Sequence, residues 1–338
     1  MQFSVQLGPY LPHTRYNGET LFYDYLDQAV LCDRLGFNSV TLTEHHLLSV
    51  LLMPAPLQFA VKIADATKDI KIMTAVVVLP LHDMRIFAGE VITADIFTNG
   101  RLMLGCGRGA FAFETDRLGV SLDTTKEIFD ESLDVLQALL TEEEVSWDGK
   151  HYRFDALTVV PRPVRSIPIM MACATPKSIY NSAKRGFHIQ TTPLSGDYGQ
   201  LMELVDTFHL GKEEAGEKGR DLTLSVSRIG FMTKSEADKK AKLEQANYYY
   251  SQFDNVFTGP GIVERGLIAS LPRTQTLEQL DENLMLGSAS EIVDKLGLYA
   301  RAGVDQFILN PNFGVSQTET METIQCFAEE VIPPLRDA

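Results

Sequence analysis

Short apolar runs alternate with longer amphipathic segments along the whole chain. Residues 3–7, 37–43 and 70–78 are the first three short runs, and each has the length of a strand. Runs with few polar positions are typical of strands that are buried on both faces, as in a parallel sheet. The segment 19–35 repeats its apolar residues at helical spacing, and Gly36 follows where a left-handed helix stop is expected.

The alternation continues to the end of the chain. The five further strands are predicted at 101–105, 167–172, 187–192, 222–233 and 304–310. Eight strands therefore alternate with helices, and no linker rich in Gly, Ser or Pro divides them. This pattern favours an α/β fold with one (β/α)8 TIM barrel, residues 1–338 forming a single domain, over two doubly wound domains.

Two segments interrupt the alternation. After the fourth long helix, predicted at 124–140, the dipeptide Asp148-Gly149 lies between alternating segments and predicts a hairpin insertion. Residues 254–286 contain Gly259-Pro260-Gly261 and show weak periodicity. A long excursion from a compact domain is usually a lid or a binding loop, so we expect a lid-like insertion there.

Charge and cysteine content exclude several classes of protein. The net charge is -15, so the average field repels nucleic acid and anionic lipid. The start of the chain lacks the pattern of a secretory signal, and the longest charge-free apolar stretch is too short for a membrane helix. Four cysteines lie far apart with no CxxC pair. We therefore expect a cytoplasmic protein with reduced thiols.

Three titratable residues, Glu44, His45 and His46, follow the second predicted strand. Chemistry in such barrels takes place at the carboxyl ends of the strands, so this position favours a role in the site. A metal site would need a third ligand, and the other histidines at strand ends are isolated. We expect no metal, and a histidine pair that is merely hydrogen-bonded in a loop remains an alternative.

Two segments could bind an anion in this acidic molecule. Gly105, Gly107 and Gly109 surround Arg108 after the fourth strand, which suits close backbone approach to a planar ligand with an arginine for phosphate, or a simple rim turn. After the fifth strand, Thr175 is the predicted N-cap of a helix with Ser178 in its first turn. The helix N-terminus could hold a phosphate, although capping alone would explain both hydroxyls.

These separate features coincide in one family, because the chain resembles the bacterial luciferase-like flavin-dependent monooxygenases from residue 1 to about 335. The segments that carry the resemblance are 43–46, 74–80 with His82, 99–101, 105–109, 161–163, 174–178, 287–288 and 302–305.

The resemblance implies a barrel that binds reduced FMN at the carboxyl ends of its strands. It places His45 beside the flavin, Arg108 at the phosphate, and a non-prolyl cis peptide near residues 74–76. The remaining residues expected at the cofactor are Glu44, Thr74, Ala75, Gly107, Gly109, Ala174, Thr175 and Ser178. The residues expected at the substrate pocket are Tyr10, His13, Phe111 and Phe113.

By the same resemblance, the activity is that of an FMNH2- and dioxygen-dependent monooxygenase. It would act on a small organic substrate through a flavin peroxide, with His45 as the acid-base group. Since all eight units make the barrel, a separate NAD(P)H-flavin reductase would supply the FMNH2. The family also suggests a homodimer, with Leu57, Phe59 and Ile63 as possible contacts. A deazaflavin-dependent hydride-transfer enzyme and a non-catalytic FMN-binding relative remain alternatives.

Overall fold

Eight parallel strands close into a barrel in chain order. The computed structural model describes residues 1–11 and 17–336. The barrel strands are Gln2–Leu7, Ser39–Leu42, Lys71–Thr74, Leu102–Gly107, Ile169–Ala172, His188–Thr191, Leu224–Met232 and Gln306–Asn310. Each strand pairs in parallel with the next, and the eighth pairs with the first. The predicted TIM barrel is therefore confirmed.

Helices surround the barrel and bury the outward face of its strands. They are Gly18–Leu35, Pro56–Ala66, Met84–Phe97, Ala112–Arg117, Leu122–Thr141, Pro176–Lys184, Tyr198–Glu214, Glu236–Phe257, Leu277–Asn283, Ala289–Ala302, Gln317–Cys326 and Ile332–Arg336, with shorter turns at Leu79–Leu81, Gly216–Gly219 and Phe327–Val331. The first helix ends at Gly36, whose φ of 76° is the predicted left-handed stop. Within the described residues, no helix is long and apolar enough to cross a membrane.

The inward face of the strands is more polar than the outward face. Ser4, Ser39 and Gln306 are hydrogen-bonded to one another inside the barrel. A small apolar cluster joins Met73, Met170 and Ile308 from the third, fifth and eighth strands. Because these strands lie on different sides of the barrel, the cluster marks which residues point into the lumen.

The hairpin insertion is confirmed. Val145–Asp148 pairs antiparallel with Arg153–Leu157, directly after the helix Leu122–Thr141. The carboxylate of Glu131 on that helix accepts hydrogen bonds from the backbone N–H groups of His151 and Tyr152, at 2.9 and 3.0 Å. The insertion is thus attached to the helix that precedes it.

The excursion predicted at 254–286 has short elements of its own. It contains a small hairpin, Val263–Glu264 with Leu267–Ile268, and the helix Leu277–Asn283. The strand Met285–Gly287 then pairs with the end of the seventh barrel strand. Since each element is only two to seven residues long, none of them produces a clear periodicity in the sequence.

A second apolar cluster, which we call the upper core, covers the carboxyl end of the barrel. It joins Leu48 and Phe111 from barrel loops to Tyr249 and Phe253 of the long helix Glu236–Phe257, and to Ile268 of the excursion. Two lysines on the same helix form ion pairs with glutamates at the starts of other helices, Lys239 with Glu291 at 3.1 Å and Lys242 with Glu319 at 2.5 Å.

Two of the three residues suggested for a dimer contact pack within the chain itself. Ile63 is fully buried. Phe59 makes an edge-on contact with Phe22, with ring centroids 5.7 Å apart. The suggestion was wrong for Ile63, because an apolar position on an amphipathic helix more often faces the core. Exposed apolar side chains lie instead on the next helix, at Ile86 and Phe97. Assembly as a homodimer stays a prediction.

A close approach between the third and fourth strands explains why residue 105 is glycine. A Cβ atom at this position would lie 1.8 Å from the carbonyl oxygen of Thr74. We expect Gly105→Ala to destabilise the protein by roughly 2–4 kcal/mol, because backbone atoms on both sides would have to move. Urea denaturation would measure the loss.

Gly89 provides the matched control. It lies within the helix Met84–Phe97, and a Cβ atom there would meet nothing within 4 Å. Gly89→Ala should leave stability unchanged or raise it by up to about 1 kcal/mol, as alanine favours helix. Equal unfolding midpoints for Gly105→Ala and wild type would contradict the explanation.

Candidate active site

Glu44 is the centre of a buried hydrogen-bond network at the end of the second strand. Its side chain is 2% exposed. One carboxylate oxygen, Oε2, accepts the backbone N–H of Val78 at 2.6 Å. The other, Oε1, lies 2.9 Å from Nε2 of His46 and 2.8 Å from Nε2 of His82. Glu44 therefore joins the loops that follow strands two and three.

The charges in this network stabilise one another. Burial alone would raise the pKa of the Glu44 carboxyl, but hydrogen bonds from His46, His82 and the Val78 N–H lower that pKa from 4.5 to about 2. The hydrogen bond to Glu44 raises the pKa of His46 above its ordinary 6.5, against an opposing effect of burial. Glu44 is therefore a carboxylate at neutral pH, and its oxygens are already used by protein groups.

His45 is held in place by a second carboxylate and an aromatic ring. Its Nδ1 lies 2.9 Å from Oε2 of Glu114. Its imidazole stacks on Phe111, with ring centroids 4.4 Å apart and planes 16° apart. The other oxygen of Glu114 accepts the backbone N–H of His46. A hydrogen bond at Nδ1 fixes the ring orientation and leaves Nε2 as the atom that can meet a ligand.

Glu114 was missed in the sequence. It lies on the helix Ala112–Arg117, which is only 6 residues long and therefore shows no periodicity in the sequence. The signal that could have identified Glu114 is a lone acid in the apolar segment Ala110-Phe-Ala-Phe-Glu114, since an acid that ends such a run is often buried with a partner.

The residues at the end of the third strand, from Thr74 to Val76, lie beside the glycines of the fourth strand. The Ala75–Val76 peptide bond is cis, which confirms the expectation from the family resemblance. The hydroxyl of Thr74 donates to the carbonyl oxygen of Gly105 at 2.9 Å and accepts the N–H of Gly105 at 2.8 Å. Thr74 therefore joins two strands and has little left to offer a cofactor.

The first two glycines of the 105–109 segment lie inside the fourth strand. This differs from the expectation of a rim turn, because Leu102–Gly107 continues the ladder. A Cβ atom at Gly107 would lie 2.4 Å from the Val76 side chain. The close approach at Gly105 and Gly107 is thus to the third strand. Gly109 has a φ of 80° and makes the turn out of the barrel.

Arg108 and the start of the helix Pro176–Lys184 follow neighbouring strands at the same edge of the barrel. Arg108 is exposed, and none of the described residues hydrogen-bonds or ion-pairs with its guanidinium. Thr175 is the N-cap, as predicted, in a capping box with Ser178, and Ala174 beside it is exposed. The hydroxyls of Thr175 and Ser178 lie 2.9 Å apart. An unpaired cation and a helix N-terminus are suited to a phosphate.

The aromatic residues predicted for a substrate pocket have different surroundings. Phe111 is 1% exposed and supports His45 from the upper core. The guanidinium carbon of Arg117 lies over the ring of Phe113, 3.5 Å from the ring centroid. Tyr10 donates to Oε1 of Gln252 at 2.7 Å, and burial raises its pKa to about 12. His13 lies outside the described residues. Tyr10 and Phe113 are both partly exposed.

The excursion reaches the same end of the barrel. The backbone N–H of Ile268 donates to Oγ of Ser49, which follows the second strand, at 3.4 Å. A Cβ atom at Gly261 would lie 3.5 Å from the Cβ of Phe113. The excursion thus lies against the loop after the second strand and against Phe113. Within residues 1–11 and 17–336, no group of three or more His, Cys, Asp or Glu side chains could hold a metal ion.

Comparison with known proteins identifies the family and confirms the fold. The family model described as luciferase-like monooxygenase matches residues 1–306. The chain belongs to the luciferase-like monooxygenase family. Its fold is that of monooxygenase RslO1 from Streptomyces bottropensis, with a TM-score of 0.85, 22% sequence identity, and coverage of 99% of this chain and 100% of that one.

Two relatives of this chain are named for different cofactors, one for flavin and one for F420. The oxygenase component of flavin-dependent trigonelline monooxygenase from Acinetobacter baylyi is 25% identical, over 100% of this chain and 96% of its own length. An F420-dependent glucose-6-phosphate dehydrogenase from Nakamurella multipartita is 22% identical, over 92% of this chain and 91% of its own. The luciferase-like barrel thus serves both flavin and F420 enzymes.

The Glu44 network predicts how stability depends on pH. Because the folded-state pKa of the Glu44 carboxyl is lowered, this group stabilises the fold above pH 4.5, and the stabilisation is lost as the pH falls toward about 2. The pKa of His46 is raised, so this residue stabilises the fold fully below pH 6.5 and loses that stabilisation as the pH rises through its folded-state pKa. Glu44→Gln should therefore lower the free energy of unfolding most between pH 4.5 and 6.5, by about 3 kcal/mol.

Urea denaturation of wild type and Glu44→Gln across pH 2–8 would measure this profile. Glu127→Gln is the control, because it removes an exposed carboxylate that pairs with Lys150 on the hairpin. The control should show a small difference at every pH. A cost for Glu44→Gln that stays constant from pH 3 to 8 would contradict the predicted coupling.

Proposed function

We propose that this protein is the oxygenase component of a two-component monooxygenase that uses FMNH2 and dioxygen. The observation that carries the proposal is the placement of His45. Its ring is fixed by Glu114 and Phe111 beneath the upper core, at the carboxyl end of a barrel strand. The trigonelline monooxygenase relative supports the assignment, since its name includes an oxygenase component and its alignment spans this whole chain.

The residues at the barrel edge fit the two ends of FMN. Arg108 and the N-terminus of Pro176–Lys184 would hold the phosphate, where the helix dipole and a free guanidinium both favour an anion. Ala75 and Ala174 are small and partly or fully exposed, so they leave room for the ring system beside the third and fifth strands. Glu44 would act indirectly, by fixing the loop that presents His45.

Reduced FMN, when bound, supplies the two electrons that dioxygen needs to react with an organic substrate. The protein's own task is to exclude water and to control one proton. Charge-assisted contacts and acid-base steps are stronger where solvent is excluded. The upper core and the excursion would exclude the solvent, and Nε2 of His45 would hold or donate the proton, because Nδ1 of the same ring is already bonded to Glu114.

A reductase would have to provide the FMNH2, as the name of the trigonelline relative also implies for that enzyme. The second candidate function is an F420-dependent hydride transfer, which the glucose-6-phosphate dehydrogenase relative favours. A non-catalytic FMN-binding protein is a third possibility. These three functions differ in how the bound cofactor responds to dioxygen.

The phosphate role of Arg108 can be tested by comparing FMN with riboflavin. We expect Arg108→Ala to weaken FMN binding by roughly 10–100-fold, because one or more charge-assisted hydrogen bonds are lost, and to leave riboflavin nearly unchanged. Flavin fluorescence titration would measure both dissociation constants. Arg153→Ala, in the exposed hairpin, is the control and should change neither. An equal loss for FMN and riboflavin would refute the role.

The role of His45 can be tested by mixing the protein with FMNH2 under nitrogen and then adding dioxygen. Wild type should release hydrogen peroxide more slowly than free FMNH2 does, and His45→Ala should release it at least about 10-fold faster than wild type. His209→Ala changes an exposed histidine and is the control.

Three outcomes of this experiment distinguish the functions. Peroxide release that is unchanged by His45→Ala would remove His45 from the mechanism. Release as fast as from free FMNH2, despite tight binding of oxidised FMN, would indicate a non-catalytic flavin protein. Binding of reduced F420 in preference to FMNH2, with turnover that is insensitive to dioxygen, would indicate the hydride-transfer enzyme.

A further inference from the structure

Gln190 has a buried amide oxygen without a partner. Its side chain is 7% exposed, on the sixth barrel strand. The Oε1 atom accepts no hydrogen bond from any described residue. Buried polar side chains almost always have a partner, so an exception in a native fold needs a reason. One such reason is that the partner belongs to a ligand.

The strand alternation shows that Gln190 points into the barrel lumen. Its neighbour Ile189 packs in the main core with Ile179 and Ala183 of the surrounding helices, so it faces outward. Successive strand residues point to opposite faces, and Gln190 therefore faces inward. On the adjacent fifth strand, Met170 belongs to the lumen cluster and Ala172 faces the same way.

The lumen is open on one side of Gln190, at its cross-strand neighbour. Ala172 is its direct cross-strand partner. Although Ala172 lies within a barrel strand, it is exposed. The lumen is thus open at this level, one pleat above Met170. On the other side, the cross-strand partner of Gln190 is Ser225, whose hydroxyl already donates to Oε1 of Gln306 at 2.6 Å. A ligand group that enters here therefore meets the Gln190 amide among uncharged side chains.

We propose that Gln190 is a specificity-determining residue at the base of the substrate pocket, where its Oε1 accepts a hydrogen bond from a hydroxyl or N–H group of a compact, neutral substrate. The inference rests on the proposed function, because it takes the open end of the barrel as the place of reaction. The inward positions around it, Met170, Ala172 and Ser225, carry no charge, so the group it recognises is a neutral donor. An apolar analogue without that donor leaves the amide unpaired and binds more weakly.

Phenol and toluene are suitable probes, because they have nearly the same shape and only phenol carries a donor. Ligand-observed NMR on the FMN-saturated protein would measure both dissociation constants. Wild type should bind phenol about 10-fold more tightly than toluene. Gln190→Met, which has a similar length and no acceptor of comparable strength, should abolish the preference. Gln190→Leu serves the same purpose if the methionine variant does not fold.

Thr191→Val is the matched control. Thr191 is the next residue and has the same defect, since its buried Oγ1 has no partner among the described residues. The Thr191 side chain faces outward, toward the helices. The substitution Thr191→Val should therefore leave the phenol preference unchanged. Both Gln190→Met and Thr191→Val should raise the thermal midpoint by a few degrees, because each removes an unpaired buried polar group.

Several results would overturn the proposal. Equal affinity of wild type for the two probes, a preference that survives in Gln190→Met and Gln190→Leu, or no binding of either probe would each do so, since the proposal requires accessible space beside the amide. The FMN titration of the same samples keeps the two hypotheses apart. Failure of FMN to bind would count against the proposed function, whereas the phenol preference of the cofactor-free protein would still report on Gln190.

Discussion

The arrangement of the site depends on one buried carboxylate. Glu44 accepts hydrogen bonds from two imidazoles and one backbone N–H, and these three donors come from two different loops. A buried charge is tolerated only when donors surround it, so the loops after strands two and three must stay together for the fold to be stable. The position of His45, next in sequence, follows from this constraint. Glu114 then fixes the direction of its ring.

A second constraint acts between the third and fourth strands. The Thr74 carbonyl and the Val76 side chain lie against the fourth strand, where only glycine fits at 105 and 107. The hydroxyl of Thr74 then pairs with both backbone groups of Gly105. The glycine-rich segment is therefore first a packing feature, and its exposed end at Arg108 is the part that remains available for a ligand.

The barrel could be predicted from the sequence because each strand carries a strong local signal. The run 70–78 and the stop at Gly36 illustrate this, since burial on both faces and a left-handed helix end leave few alternatives. Thr175 was identified as a cap for the same local reason. The role of Glu114 could not be identified in this way, because its partner His45 is distant in sequence, and that of Gln190 could not, because its neighbours in the lumen come from other strands. Neither the pairing of residue 45 with residue 114 nor the opening beside Ala172 is encoded in spacing along the chain.

The upper core shares no members with the main core between barrel and helices. Its long helix belongs to the same cluster as Ile229 and Phe231 at the end of the seventh barrel strand, and Lys239 and Lys242 join this helix to the helix starts at Glu291 and Glu319. Perturbations in clusters without common contacts combine nearly additively. Residues of the upper core can therefore change to fit a ligand of another shape while the barrel keeps its stability. This independence suits a fold that different oxidoreductases share.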